Sequence, residues 1–131
     1  MKLEHLSNAN VNGSGDDLIR LFAFTSTEVK ALIRAIRTGI VSEGNVVKLD
    51  LLDFIDPLNC TLSLALSESD GGIRMNAPGD FTCEMTEQGF LRMLKLMDPF
   101  TKDGTTGHQW LYDLPAARSR IEFLFSRNGK W

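Results

Sequence analysis

Hydrophobic residues recur at every second position through much of the segment from residue 45 to residue 85, and this alternation constrains the fold more than any other feature. The stretches "NVVKLDLL" and "CTLSLALS" carry it most clearly. Their alternating apolar positions are Val47, Leu49 and Leu51, then Cys60, Leu62, Leu64 and Leu66. Successive side chains of a strand point to opposite faces of a sheet, so this period predicts two strands that each bury one face.

Two turn signals follow these strands, "SDGG" at residues 69–72 and "PGD" at residues 78–80. Asp and Gly accept the positive φ that tight turns require, so "SDGG" predicts a hairpin with "IRMNA" as the returning strand. The stretch "FTCEM" predicts another strand, with Phe81, Cys83 and Met85 facing inward. A run of strands without helices between them excludes a doubly wound fold.

The first helix is predicted to begin at "TSTE", directly after the short buried strand "LIRLFAF" that starts at Leu18. Thr25 can cap this helix, and Glu28, three residues later, can complete a capping box. Apolar residues then recur at helical spacing from Val29 to Ile40. Gly39 and the "SEG" that follows predict the end of the helix.

The second helix is predicted over "TEQGFLRMLKLM", with Thr86 as its cap and Pro99 as its stop. Its apolar face is unusually wide, because only Gln88, Arg92 and Lys95 remain for solvent. The last strand is predicted in "SRIEFLFS". Its inward row is Ile121, Phe123 and Phe125.

The element order β-α-β-β-β-β-α-β-β predicts an α+β fold: a mostly antiparallel sheet with two helices packed on one face. A chain of 131 residues suits a single domain. Gly, Ser and Asn dominate residues 7–16, which indicates a linker. We therefore predict an N-terminal arm over residues 1–16, anchored by Leu3 and Leu6, and one α+β domain over residues 17–131.

The net charge and the hydropathy of the chain limit the classes of partner that can be expected. The formal net charge is -3, whereas nucleic-acid binders are usually basic, so no nucleic-acid partner is expected. No segment approaches the roughly 20 apolar residues that span a bilayer, and no signal peptide is recognisable, so we expect no membrane association and a cytoplasmic location. In that compartment Cys60 and Cys83 are expected to be buried thiols.

The stretch "TTGHQWLYDL", residues 105–114, holds the strongest candidate binding residues. His108, Trp110 and Tyr112 would share one face of a strand. One interpretation is a pocket in which the rings stack on a ligand and Arg118 or Arg120 holds an anion. The other is that the rings close one end of the core, which the sequence favours.

Catalytic and metal-binding patterns are weak. No Ser lies in a G-x-S-x-G elbow, and the two cysteines have no neighbouring histidine in the sequence. Asp50, Asp53 and Asp56 could hold Mg²⁺ only if they converged, and solvated acids at a strand end are the preferred interpretation. We therefore predict no metal site, no cofactor and no enzyme activity.

Two surfaces suggest contacts with other proteins. The wide apolar face of the second helix, with Met93 and Met97, predicts a homodimer interface, unless the terminal strand or the arm covers it. Lys30, Arg34 and Arg37 form a basic stripe on the first helix that could meet an acidic partner, although such stripes are usually solvated.

The sequence thus predicts a non-catalytic protein-interaction domain with a homodimer or another protein as partner. One form would be a toxin-neutralising immunity-type protein, in which an acidic surface meets a basic toxin. The alternative is a protein or enzyme that binds a small molecule, such as an anion, near His108, Trp110 and Tyr112.

Overall fold

The computed structural model describes residues 1–11, 16–114 and 121–131 and confirms an α+β fold. The described residues contain two α-helices, α1 (Ser26–Ile36) and α2 (Glu87–Met97). They also contain nine strands: β1 (Lys2–Val11), β2 (Asp16–Phe22), β3 (Val47–Lys48), β4 (Asp56–Pro57), β5 (Thr61–Leu66), β6 (Gly72–Ala77), β7 (Asp80–Met85), β8 (His108–Trp110) and β9 (Ile121–Ser126).

The strands form two mixed sheets rather than one mostly antiparallel sheet. The first has the order β4-β1-β2-β9-β8, and the second has the order β3-β5-β7-β6. Each sheet contains parallel neighbours: β1 with β4 and β2 with β9 in the first, and β5 with β7 in the second. The predicted order of helices and strands is otherwise close to the observed one.

The hairpin predicted at "SDGG" is wrong, because β7 lies between β5 and β6. Instead, β6 pairs antiparallel with β7 across the "PGD" turn. Asp70 does not close a tight turn. Its side chain accepts hydrogen bonds from the backbone N–H and the hydroxyl of Thr86, at the start of α2.

The strand predicted from Asn45 to Leu52 is much shorter than its alternation indicates. After β3 the chain makes a 3₁₀ turn at Leu49–Leu51. The Asp50 carboxylate accepts a hydrogen bond from the Leu62 N–H at 3.1 Å, which holds this turn against β5. Leu49 is buried, but the Leu51 side chain, expected to face inward, is 73% exposed.

The segment expected to be an N-terminal arm contributes a strand. β1 lies between β4 and β2, and Leu3 is fully buried. The Asn59 side chain extends this pairing beyond β4, because it accepts from the His5 N–H and donates to the His5 carbonyl, both at 2.8 Å. Residues 2–11 are thus part of the first sheet.

The capping box predicted for α1 is confirmed. Thr25 Oγ1 accepts from the Glu28 N–H at 3.2 Å, and the Glu28 carboxylate accepts from the Thr25 N–H at 2.9 Å. The helix does not end at Gly39, since a π-helical segment, Arg37–Ser42, continues it. Gly39 permits the close approach of β3 to this segment, because a Cβ there would lie 2.6 Å from Val47 Cγ2.

The interior is one continuous hydrophobic cluster between the two helices and the two sheets. The stacked rings of Phe24 and Phe125, with centroids 4.4 Å apart, belong to it. The inward-facing residues predicted for β7 are confirmed, since Phe81, Cys83 and Met85 are all buried. In the described part of the chain, no helix has the length and apolar character to cross a membrane.

Both cysteines are buried free thiols, as the sequence predicts. Burial, reinforced by the charges of Asp50 and Glu4, raises the pKa of the Cys60 thiol to about 11. Burial also raises the pKa of Cys83, with smaller contributions from Glu84 and Asp70. Neither thiol is a nucleophile near neutral pH, because the thiolate is the reactive form.

The N-terminus of α2 is closed by a compact set of hydrogen bonds. Thr86 Oγ1 accepts from the Gly89 N–H at 3.0 Å, and Asp70 Oδ1 accepts from the Thr86 hydroxyl at 2.8 Å. Asp70 approaches so closely that a Cβ on Gly89 would lie 2.5 Å from Asp70 Oδ1 and 3.0 Å from Met85 Cε.

We predict that Gly89→Ala destabilises the protein, although the same change stabilises an unhindered helix by about 0.5–1 kcal/mol. The added methyl group must displace Asp70 from Thr86. Urea denaturation measures the effect, with Gln88→Ala on the exposed side of the same helix as control. A Gly89→Ala protein as stable as the Gln88→Ala protein contradicts this prediction.

Candidate functional site

A cleft of about 610 Å³ lies between α2 and the segment that runs from β8 to Leu114. Gly89, Arg92 and Leu96 form its α2 wall. The opposite wall and floor are formed by Gln109, Trp110, Leu111, Tyr112, Asp113 and Leu114, with Met85 from β7 and Glu122 from β9. Clefts that hold small molecules are typically ~300–1,000 Å³, so this one is large enough.

Arg92 is held at the cleft by Asp70. Its Nη2 atom donates to Asp70 Oδ2 at 2.9 Å, while the other carboxylate oxygen accepts from Thr86. The Arg92 side chain is still 63% exposed. A guanidinium group has five N–H donors, so this ion pair orients Arg92 and leaves donors for another group.

Asp70 is suited to this role because it stays ionised. The hydrogen bond from the Thr86 N–H is the largest cause that lowers the pKa of Asp70, and the Thr86 hydroxyl and Arg92 lower it further, against a smaller opposing effect of burial. A carboxylate that accepts several hydrogen bonds is favoured in its charged form.

Tyr112 lines the cleft with its ring, but its hydroxyl joins the two sheets. It accepts a hydrogen bond from the Ile73 N–H of β6 at 3.1 Å and donates one to the Ile121 carbonyl of β9. The side chain is buried. The Tyr112 hydroxyl therefore links the two sheets. Neither sequence-based interpretation, a ligand pocket or rings that close the core, included this contact.

His108 and Trp110 share one face of β8, with ring centroids 5.6 Å apart in a T-shaped arrangement. Only Trp110 lines the cleft, and it is half-buried, whereas His108 is exposed to solvent. Of the three residues predicted to form a pocket, the structure thus brings Trp110 and Tyr112 to the cleft. The two predicted anion-binding residues, Arg118 and Arg120, lie outside the described residues.

The interface predicted at Met93 and Met97 needs correction. Met93 is 0% exposed and Met97 is 1% exposed, because both pack into the chain's own core. The wide apolar face of α2 is covered by the two sheets and α1, which the single-sheet prediction did not provide. No methionine of this face is available to a second copy of the chain.

A second concave surface lies between the two helices. One hollow of about 390 Å³ is lined by Lys30, Ile33, Arg34, Arg37, Thr38, Asp98 and Thr101. A neighbouring hollow of about 290 Å³ is lined by Arg37, Gln88, Leu91, Arg92, Leu94, Lys95 and Asp98. The hollows share Arg37 and Asp98, so we treat them together as the basic groove.

The charge of the basic groove is strongly one-sided. Five cationic side chains line it, against the single carboxylate of Asp98. Arg92 pairs with Asp70, but the other four cations have no ion pair in the described part of the chain. These four are Lys30, Arg34, Arg37 and Lys95.

The sequence predicts part of the lining of the basic groove, but not that this lining forms one surface. The basic stripe on α1 was visible at helical spacing, and Arg92 and Lys95 were placed on the solvent side of α2. Helical periodicity places residues on a face of their own helix only. It could not show that the two basic faces meet.

Among the described residues, His5 pairs with the Asp17 carboxylate, with 3.1 Å between Nε2 and Oδ2. None of the described residues hydrogen-bonds to His108, the cysteines are buried, and no group of three potential metal ligands converges among them. The described geometry offers two surfaces for a ligand, the cleft and the basic groove.

Comparison with known proteins adds no constraint: no family model, curated protein or solved structure matches the chain.

We predict that Tyr112→Phe destabilises the protein by about 1–3 kcal/mol, because the buried Ile73 N–H loses its acceptor. Urea denaturation measures the loss. The control is Thr105→Ala, which removes an exposed hydroxyl that donates to the Pro99 carbonyl at 2.8 Å. That variant is expected to stay within about 0.5 kcal/mol of the parent. Equal effects of the two changes would show that Tyr112 does not tie the sheets together.

We also predict that Asp70 contributes stability that depends on pH. Its pKa is lowered in the folded protein, so the contribution is complete above the pKa of an unfolded aspartate, about 3.9. It is lost as the pH falls through the lower, folded pKa. The stability difference between the parent and Asp70→Asn should therefore be largest near neutral pH and shrink below about pH 4. Urea denaturation near neutral pH and below about pH 4 measures this difference. The same difference in both conditions contradicts the role assigned to the Asp70 carboxylate.

Proposed function

We propose that the chain is a non-catalytic interaction domain that binds an acidic segment of another protein in the basic groove. One observation carries the proposal: Lys30, Arg34, Arg37 and Lys95 come from two helices to one groove without a carboxylate partner in the described residues. The chain as a whole has a net charge of -3. Five of its 14 basic residues line the groove, beside the one carboxylate of Asp98 among the described lining residues.

Like charges gathered on one surface repel one another, and a partner of opposite charge relieves this repulsion. Exposed charges attract over roughly one Debye length, about 8–10 Å in physiological salt. Complementary potentials of this kind speed the encounter of two proteins and select the correct partner. Carboxylates of a partner supply the charge that the groove lacks.

The groove also offers a small apolar surface at Leu91, which is half-buried beside the charged side chains. Ile33 and Leu94 line the groove too, but they are only 8% and 3% exposed. A segment that alternates carboxylates with apolar side chains fits such a surface, as an amphipathic helix does in a groove. The apolar contacts would add affinity that salt does not screen.

Asp98 favours a protein partner over a nucleic acid. It lies where the two hollows meet, since it lines both. A nucleic-acid backbone presents closely spaced phosphates, and one of these would lie near the Asp98 carboxylate. A protein segment can place its carboxylates beside the cations and a neutral residue beside Asp98.

The proposed partner is acidic, whereas the immunity-type function suggested by the sequence requires a basic partner. An immunity-type protein was expected to present an acidic surface to a basic toxin, whereas the groove has the opposite charge. The homodimer stays a prediction without an assigned surface, because Met93 and Met97 are buried.

We predict that the protein binds a fluorescein-labelled amphipathic peptide with Glu and Leu at helical spacing, and that added salt weakens the binding. Arg34→Glu with Arg37→Glu should weaken it by about tenfold or more, since each reversal replaces an attraction with a repulsion of about 1 kcal/mol. Fluorescence anisotropy measures the dissociation constants.

The matched control is Lys48→Glu with Lys102→Glu, which changes the net charge equally. Both lysines are exposed and neither lines the groove. Equal weakening by the two double variants contradicts the proposal, and so does absence of saturable binding up to about 1 mM peptide. Tighter groove-dependent binding of a DNA duplex would replace the protein partner with a nucleic acid.

A further inference from the structure

The cleft beside α2 has its own chemistry, which differs from that of the basic groove. The two surfaces share Arg92, but Trp110, Tyr112 and Asp113 line the cleft only. Among the described lining residues, the cleft combines Arg92 with carboxylates and aromatic rings, whereas the groove has five cations and one acid. The two surfaces are therefore suited to different ligands.

Arg92 provides the anion-binding end of the cleft. Its one hydrogen bond to a described residue runs from Nη2 to Asp70 Oδ2 at 2.9 Å, so four of its five N–H donors have no acceptor in the described residues. Asp70 is itself held by two 2.8 Å hydrogen bonds from Thr86. A guanidinium fixed in this way loses little freedom when it binds a carboxylate, because its orientation is already set.

Trp110 provides a flat apolar wall with an unused donor. Its indole is half-buried at the cleft, and no described residue accepts a hydrogen bond from its N–H. An indole face packs well against a planar ring, and such pairs gain free energy beyond the buried area. The ring of Tyr112 adds a second aromatic surface, while its hydroxyl is already engaged by Ile73 and Ile121.

Asp113 provides the opposite charge. It is exposed, lines the cleft, and forms no ion pair in the described part of the chain. A second carboxylate, Glu122, also lines the cleft. An exposed acid such as Asp113 disfavours a ligand with several negative charges, such as a phosphate ester, and favours a ligand that also carries a cation.

We propose that the cleft binds a small zwitterion with an aromatic body, namely an aromatic amino acid or a short peptide that contains one. The carboxylate pairs with Arg92, the ring packs on Trp110, and the ammonium group lies near Asp113. A cleft of about 610 Å³ has room for such a molecule. Arg92 lines both surfaces, but this proposal does not require the acidic partner proposed for the basic groove.

The test uses four small probes and the fluorescence of Trp110. Trp131, which is 48% exposed, is first replaced by Phe so that Trp110 is the remaining tryptophan. L-Phenylalanine carries both charges, 3-phenylpropanoate lacks the ammonium group, 2-phenylethylamine lacks the carboxylate, and benzyl phosphate carries only a doubly charged anion. L-Phenylalanine is expected to give a saturable change and to bind tightest of the four.

Two pairs of variants test which residues bind the carboxylate and the ammonium group of L-phenylalanine. Arg92→Gln should weaken L-phenylalanine by about tenfold or more, as loss of a charge-assisted hydrogen bond does. Its control is Arg74→Gln, since Arg74 is 62% exposed, pairs with Glu84, and is not among the residues that line the cleft. Asp113→Asn should weaken L-phenylalanine but not 3-phenylpropanoate, while Asp103→Asn should weaken neither.

Each outcome decides the proposal. Absence of a saturable change with L-phenylalanine up to about 10 mM, a concentration that still detects very weak binding, overturns it. Equal binding of L-phenylalanine and 3-phenylpropanoate removes the role of Asp113, and tightest binding of benzyl phosphate replaces the zwitterion with a phosphate. Asp113 does not line the basic groove, so a failure here leaves peptide binding in the groove unchanged.

Discussion

The carboxylate of Asp70 is the contact on which both candidate surfaces depend. It accepts hydrogen bonds from the N–H and the hydroxyl of Thr86, which places the start of α2 against the second sheet. Its other oxygen accepts from Arg92, which turns the guanidinium toward the cleft and the groove. A charged group held by three hydrogen bonds is a strong constraint, because breaking them would leave a partly buried charge without partners.

The helix α2 separates two surfaces of different chemistry. Toward β8 it lines a cleft with aromatic rings and charges of both signs, and toward α1 it lines a basic groove. Its third side is buried in the core through Met93 and Met97. The wide apolar face of α2 is thus used in packing against both sheets and the neighbouring helix of the same chain.

Local patterns predicted the elements well and their partners poorly. The capping box of α1, the cap of α2 and the inward row of β7 were all recognisable, because each depends on residues within a few positions of one another. The 3₁₀ turn at Leu49–Leu51 was missed, since it depends on Asp50 reaching Leu62. The hairpin at residues 69–72 failed for the same reason: Asp70 bonds to a residue 16 positions away.

The sequence by itself determined the α+β class, both helix starts and the burial of both thiols, because spacing and capping act within one turn or one strand. It also named Trp110 and Tyr112 as candidate binding residues, which the structure brings to one cleft. Only the tertiary structure decided that Arg92 lines the same cleft and that the basic faces of two helices meet in one groove. Those relations join residues far apart in the chain, and side-chain periodicity carries no information about which faces become neighbours.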